Sequence, residues 1–210
     1  MTRQGILIVV SGFSGAGKGT IMRELMRRYG QYALSVSATT RAPRTGETEG
    51  KDYFFKTREA FEQMIRDGEL IEYACYVNHY YGTPRAYVEE MLAQGRDVIL
   101  EIEIQGARKI RQQFPEAVLL FVTTKDAQTL RERLAGRGTE TPEAIAQRLE
   151  RAVQESEGIE EYDYLVVNDE LETCVEEIHA VIESEHRRIR YHMELVNKVR
   201  EELRSFSKGE

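Results

Sequence analysis

The chain contains no tryptophan, only four prolines and only two cysteines in 210 residues. Cys75 and Cys174 are too few for a disulfide framework, and neither has a cysteine or histidine beside it at metal-ligand spacing. A reducing compartment, the cytoplasm, is the expected location. Long apolar runs are also missing. None approaches the roughly 20 residues that a membrane-spanning helix requires, and the opening run Ile6–Val10 leads into a glycine-rich loop instead of a leader cleavage site. That run is expected to be a buried strand, and no membrane partner is expected. Excess positive charge is absent too: 29 Lys and Arg stand against 36 Asp and Glu, a net charge of -7. General nucleic-acid binding, which neutralises many phosphates, is therefore excluded. Arginines are nonetheless grouped, first Arg41 and Arg44, then Arg131, Arg133, Arg137, Arg148 and Arg151. Local cations on an acidic chain suit a small polyanion held in a cleft.

What is present suits one α/β unit with inserted lobes: 41% hydrophobic and 31% charged residues. Four runs, Ile6–Ser11, Val98–Ile102, Val118–Val122 and Leu165–Asn168, are apolar enough for strands buried on both faces. Helical patterns at Lys18–Tyr29, Ala107–Phe114 and Ala127–Leu134 lie between them. This rhythm predicts an open, mainly parallel sheet with helices on both faces. Residues 35–83 break it with shorter strand candidates, Tyr53–Phe55 and Leu70–Tyr76, around one helix, Arg58–Asp67, and read as an inserted small mixed α/β lobe. Residues 126–156 form a second insertion, a helical lid. Within it Thr141, Pro142 and Glu143 are the cap, first position and first-turn acid of a helix reaching about Ser156. Residues 1–34, 84–125 and 157–210 make up the expected core. Asp169 and Glu172 have the spacing of a capping box. Beyond residue 185, Ile189, Met193, Val196, Val199 and Leu203 recur at helical spacing. They are expected to pack on the parent domain, with an oligomer contact as the alternative; monomer or homo-oligomer stays open.

The most specific string is Gly12-Phe13-Ser14-Gly15-Ala16-Gly17-Lys18-Gly19-Thr20, between a strand and a helix. Glycines let successive N–H groups converge on a phosphate, the helix N-terminus adds partial positive charge, and Lys18 reaches the β- and γ-phosphates. This is the pattern of a nucleotide site. It departs from the usual loop at Gly19, where a magnesium-ligating hydroxyl normally stands; Thr20 follows one residue later, within reach of the α-phosphate. At the end of another apolar strand come Glu101 and Glu103. Strand ends of open α/β sheets face the ligand crevice, so Glu101 is expected near a magnesium ion or the acceptor, with Glu103 on the same side by alternation.

From Ser35 the chain reads Ser-Val-Ser-Ala-Thr-Thr-Arg-Ala-Pro-Arg-Thr-Gly-Glu-Thr-Glu-Gly-Lys-Asp-Tyr-Phe-Phe. The forks of Arg41 and Arg44, with the phenol of Tyr53, suit a phosphate dianion. The string resembles the GMP-binding segment of guanylate kinases. The resemblance continues through Gly68–Ala74, Tyr80–Thr83, Gln105–Ala107, Arg137–Glu140 and Tyr162–Asp169, to about residue 185. It implies the P-loop kinase fold and phosphoryl transfer from ATP to GMP, with dGMP as a further acceptor, and a Mg²⁺ ion held mainly by phosphates and water, with Glu101 able to contribute.

By the same resemblance Arg41, Arg44, Tyr53 and Tyr81 hold the GMP phosphate, with Glu47, Glu101 and Glu103 on the same substrate's side. Ser37, Glu72 and Thr83 read the guanine. One carboxylate can accept from guanine N1–H and its 2-amino group together, and hydroxyls can serve O6 and N7. Gly12, Ser14, Gly15, Ala16, Gly17, Lys18, Gly19, Thr20, Arg133, Arg137 and Asn168 fall to ATP, and Lys18, Arg137 and Arg148 to the transferring phosphates. Phe13 stands where the family usually has proline, and Glu101 and Glu103 where it usually has aspartates. Protein-binding modules of the same fold typically lack a working phosphate loop, whereas Gly12, Gly17 and Lys18 are all here. A kinase of sugar bisphosphates would have no use for a base-reading set.

Overall fold

The computed structural model describes residues 4–76, 78–136 and 141–207. Along the chain come β1 (Leu7–Gly12), α1 (Lys18–Arg28), β2 (Tyr32–Leu34), β3 (Ala38–Thr39), β4 (Phe54–Phe55), α2 (Arg58–Arg66), β5 (Leu70–Tyr76), β6 (His79–Pro84) and α3 (Arg85–Ala93). Then follow β7 (Asp97–Glu101), α4 (Ile104–Gln113), β8 (Val118–Thr123), α5 (Ala127–Ala135), α6 (Pro142–Ser156), β9 (Tyr164–Val167), α7 (Leu171–Glu185) and α8 (Met193–Ser207).

Five strands form one parallel sheet in the order β2-β7-β1-β8-β9. Alternation along its centre decides the layering. Ile8 and Val10, with Ile6 before them, share a core with Ile21, Met22 and Leu25 of α1 and with Val175, Ile178 and Ile182 of α7. Leu7 and Val9 face the other way, onto Val88 of α3 and Ala107 and Ile110 of α4. Both faces of β1 are therefore buried, which is why its sequence is an unbroken apolar run. At the N-terminal end of the sheet the wholly buried Asp97 accepts from the Ile6 amide at 3.0 Å and meets His186 Nε2 at 2.8 Å. That carboxylate ties β1, β7 and the end of α7 together.

A second, mixed sheet of order β4-β3-β6-β5 stands beyond β2, with β3 parallel to β4 and β6 antiparallel to both β3 and β5. Phe61 of α2 seals its small core against Ala38 and Leu70. The open parallel sheet and the small mixed one agree with the sequence reading. The short strands β2, β3 and β6, and helix α3, did not show in the pattern. Gly82 and Pro84 interrupt β6, and α3 buries only Val88.

Three local expectations can be compared with the structure. Thr141 caps α6, its hydroxyl accepting from the Ala144 amide at 3.3 Å, with Pro142 at the first position as expected. The Asp169 and Glu172 capping box does not form. Glu170 occupies the cap of α7 without a side-chain bond, while Asp169 pairs with Lys125 at 3.1 Å and Glu172 with Arg28 at 2.6 Å. Cations close by outcompete the helix's own amides for these two carboxylates. The C-terminal stripe does not pack on the parent domain either. No residue of α8 is buried, and Ile189 and Leu203 are 71% and 61% exposed.

Candidate active site

Both inserted segments and the carboxyl ends of the parallel strands border one cleft of about 390 Å³. Its first wall is the loop between β1 and α1. Gly15 and Gly17 both sit at φ 95, a left-handed conformation that side chains rarely adopt, and so set the tight path of the loop. Gly17 also leaves room for Asn168, whose Nδ2 would lie 2.4 Å from a Cβ at that position. Asn168 is buried and donates to the Ala16 carbonyl at 2.7 Å. Arg133 donates to the same carbonyl at 3.3 Å and to the Asn168 carbonyl at 2.9 Å. These bonds fix the back of the loop. At its front the Lys18 ammonium donates to the carbonyls of Gly12 at 2.6 Å and Phe13 at 3.2 Å. Arg148 reaches across from α6 to the Ser14 hydroxyl.

The floor is the end of β7. Glu101 is exposed, lines the cleft and has dense protein around it. That enclosure raises its carboxyl above the usual carboxylate range, against the pull of Lys18 and Arg23. Glu103 lies beyond the strand, at the cap of α4, and accepts from Arg151 of α6 at 2.8 Å. Arg151 also holds Glu155 at 2.9 Å, and burial raises the Glu155 carboxyl.

The opposite wall belongs to the mixed sheet. Arg41 donates to Glu47 at 2.8 Å and lies over the Tyr53 ring, 5.3 Å from its centroid. Glu47 also accepts from the Arg44 amide at 2.7 Å, so one carboxylate shapes the turn that carries both arginines. The Arg41 guanidinium keeps the Glu47 carboxyl below its usual range. Tyr53 and Tyr81 meet at a centroid distance of 6.0 Å, and burial raises the Tyr53 phenol. Deeper in, Glu72 is 5% exposed and accepts from the Thr83 hydroxyl at 2.6 Å. Burial raises its carboxyl above the usual range, opposed by that hydrogen bond and by Lys109.

A glycine-rich loop thus faces two arginines, two tyrosines and a buried carboxylate across a single cleft. The family model described as guanylate kinase matches residues 4–185. The chain belongs to the guanylate kinase family. A guanylate kinase from Streptococcus thermophilus strain CNRZ 1066 is 53% identical over 190 residues, covering 90% of this chain and 91% of that one. One from Lactococcus lactis subsp. lactis is 50% identical over 189 residues, covering 90% and 92%. The crystal structure of guanylate kinase from Anaplasma phagocytophilum superposes with a TM-score of 0.73 at 32% identity, over 88% of each chain.

Within this guanylate kinase fold, Gly12, Ser14, Lys18, Ser37, Arg41, Arg44, Tyr53, Glu72, Tyr81, Glu101, Glu103 and Arg148 all border the cleft. Gly15, Ala16, Gly17, Gly19, Thr20, Arg133 and Asn168 lie along the loop and behind it. Thr83 is wholly buried with its hydroxyl committed to Glu72, so it positions the carboxylate and stays off the cleft surface. Arg137 lies outside the described residues. Motif reading gave no role to Arg151 or Glu155, although Arg148, Arg151 and Glu155 follow the i, i+3, i+7 spacing of one helix face. It also passed over Ser35, whose hydroxyl is buried at the cleft without a hydrogen-bond partner among the described residues. No sequence signal marks that serine. Among the described residues no helix is long and apolar enough to cross a membrane.

Proposed function

We propose that the protein transfers the γ-phosphoryl group of ATP to GMP, giving ADP and GDP, with dGMP as a further acceptor. The observation that carries this reading is the single cleft in which Gly12, Ser14 and Lys18 face Arg41, Arg44, Tyr53, Tyr81 and Glu72. Residues 35–83 act as the acceptor lobe and residues 126–156 as the lid.

ATP lies with its phosphates over the loop, where the loop amides and the start of α1 meet the β-phosphate. Lys18 exchanges its two carbonyl partners for phosphate oxygens. GMP lies across the cleft, its phosphate between Arg41, Arg44 and the two phenols. Its base lies against Glu72, which Thr83 orients, with Ser37 beside it. Adenine has neither an N1 donor nor a 2-amino group, so it would leave the buried carboxylate unpaired, and a site of this kind discriminates by roughly 10⁴–10⁵.

The acceptor oxygen is already anionic near neutral pH, so no general base is required. An oxygen of the GMP phosphate forms a bond to the γ-phosphorus as the bond to the β,γ-bridging oxygen breaks, and the electron pair leaves with ADP. Lys18, Arg148 and Arg137 meet the charge that shifts onto the phosphoryl oxygens, and the cleft keeps competing water away. Mg²⁺ would supply further positive charge to the phosphates; Glu101, an oxygen donor in the cleft near Lys18, fits a hard cation that arrives with the nucleotide.

The test is ADP release with Mg-ATP and, in turn, GMP, AMP, UMP, dTMP and ribose 1,5-bisphosphate. Among these acceptors, turnover confined to GMP is the expected result. Turnover with a different acceptor would overturn the lobe's role while keeping the loop's.

A further inference from the structure

Gly106 stands in the first turn of α4, buried, and lines the cleft. A Cβ at this position would lie 2.8 Å from Oε2 of Glu72, 3.3 Å from its Cδ and 3.2 Å from Ile102 Cδ1. The first of these is closer than real contacts come, so something would have to move. The backbones cannot separate easily, because α4 grips β5 on both sides of Glu72. Gln113 donates to the Ile71 carbonyl at 2.6 Å, and Lys109 to the Tyr73 carbonyl. The group free to give way is the carboxylate itself. Thr83 holds Oε1, so a displaced Oε2 means a carboxylate turned about that bond. Gly106 is not among the positive-φ glycines, so its backbone suits any residue. Helix propensity alone would favour alanine here.

We infer that Gly106 sets acceptor specificity: its missing side chain leaves the space in which Oε2 of Glu72 lies, and holds open the angle at which that oxygen meets the 2-amino group of guanine. It is a positioning residue that acts through Glu72, and the inference rests on the reading of Glu72 as the base acceptor. The α4 N-terminus adds a second reason for the close approach, since its partial positive charge favours the ionised carboxylate that must accept two donors.

The experiment compares GMP with IMP, which keeps N1–H but lacks the 2-amino group, in the full-length protein. Wild type comes first. Equal use of GMP and IMP would overturn the Glu72 reading itself, independently of Gly106. Given a preference for GMP, Gly106→Ala is expected to raise KM for GMP by roughly 10–100-fold, the loss of one hydrogen bond to a charged group. KM for IMP should move by less than about 3-fold, as should kcat, because the N1–H bond and the phosphate machinery remain. The melting temperature should stay level or rise by about 2–4 °C. In a Glu72→Asp background, where the shorter side chain withdraws the carboxylate, adding Gly106→Ala should change KM for GMP by less than about 2-fold. An unchanged GMP-to-IMP ratio in Gly106→Ala would overturn the proposal. So would equal losses with both acceptors, full additivity in the double variant, or a Gly106→Ala protein that fails to fold.

Discussion

On the loop wall of the cleft the groups on offer are mainly backbone, its path set at Gly15 and Gly17 and braced from behind by Asn168 and Arg133. On the lobe wall they are side chains that brace one another: Glu47 holds Arg41 and the Arg44 amide, Arg41 lies over Tyr53, and Thr83 holds Glu72. Backbone amides present the same partner to any phosphate, so the loop wall is general. Paired side chains present a particular pattern of charge and acceptors, so the lobe wall selects. The division also sets how each wall fails. The loop depends on conformation and one cation, the lobe on individual polar contacts.

The sharpest test of that difference is Lys18→Ala, which removes the ammonium at the front of the loop wall. It is expected to lower kcat by about 10³-fold with little change in KM for GMP, measured by ADP release. Gly17→Ala should follow, at about 10²-fold in kcat/KM for ATP. The new Cβ would meet Asn168 at a φ of 95, and a displacement of the loop of about 1 Å is costly at that scale. On the lobe wall Glu72→Gln should leave kcat largely intact and raise KM for GMP by roughly 10–100-fold. It should also remove a pH dependence. Burial raises the Glu72 carboxyl, so on acidification from neutrality it takes up a proton before ordinary glutamates do. The protonated form cannot accept two donors, so on acidification KM for GMP should climb more steeply in wild type than in Glu72→Gln, where only the substrate phosphate still titrates. The smallest effect belongs to Ser14→Ala. Losing a side chain from a wall built of amides should cost less than about 3-fold in kcat/KM for ATP. A loss as large as that of Gly17→Ala would break the comparison.

The same contrast explains what could be read from the sequence. The loop is one contiguous string between an apolar run and a helix, and its chemistry follows from glycine spacing. The central strands of the parallel sheet were equally plain, because burial on both faces leaves unbroken apolar runs such as Val118–Val122; at its edges β2 left no such run, and β9, expected to be buried on both faces, exposes Leu165 and Val167. The lobe wall draws on Ser37, Arg41, Arg44, Tyr53, Glu72 and Tyr81, scattered over 45 positions. No local pattern joins them; family resemblance did, and the fold then placed them on one surface. Family resemblance places Thr83 with the base readers; the 2.6 Å bond from its hydroxyl to Glu72 is visible only in the coordinates. Asp169 and Glu172 had the right spacing for a capping box, but Lys125 and Arg28, distant in sequence, claim them. The space at Gly106 is a property of two elements in contact, and a sequence carries no mark of it.

The buried carboxylate of Asp97 also bears on how the chain is made. It gathers the Ile6 amide and the His186 imidazole, which lie 91 and 89 residues from it on either side. The N-terminal end of the sheet is therefore finished last, when the segment around His186 has been synthesised and can dock. Until Tyr164–Val167 have been made, β8 presents an unpaired edge where β9 will lie. A nascent or truncated chain ending before Tyr164 would hold the glycine-rich loop on a sheet that lacks β9. Such species pair edge to edge and aggregate, so folding during translation is gated by the last quarter of the sequence.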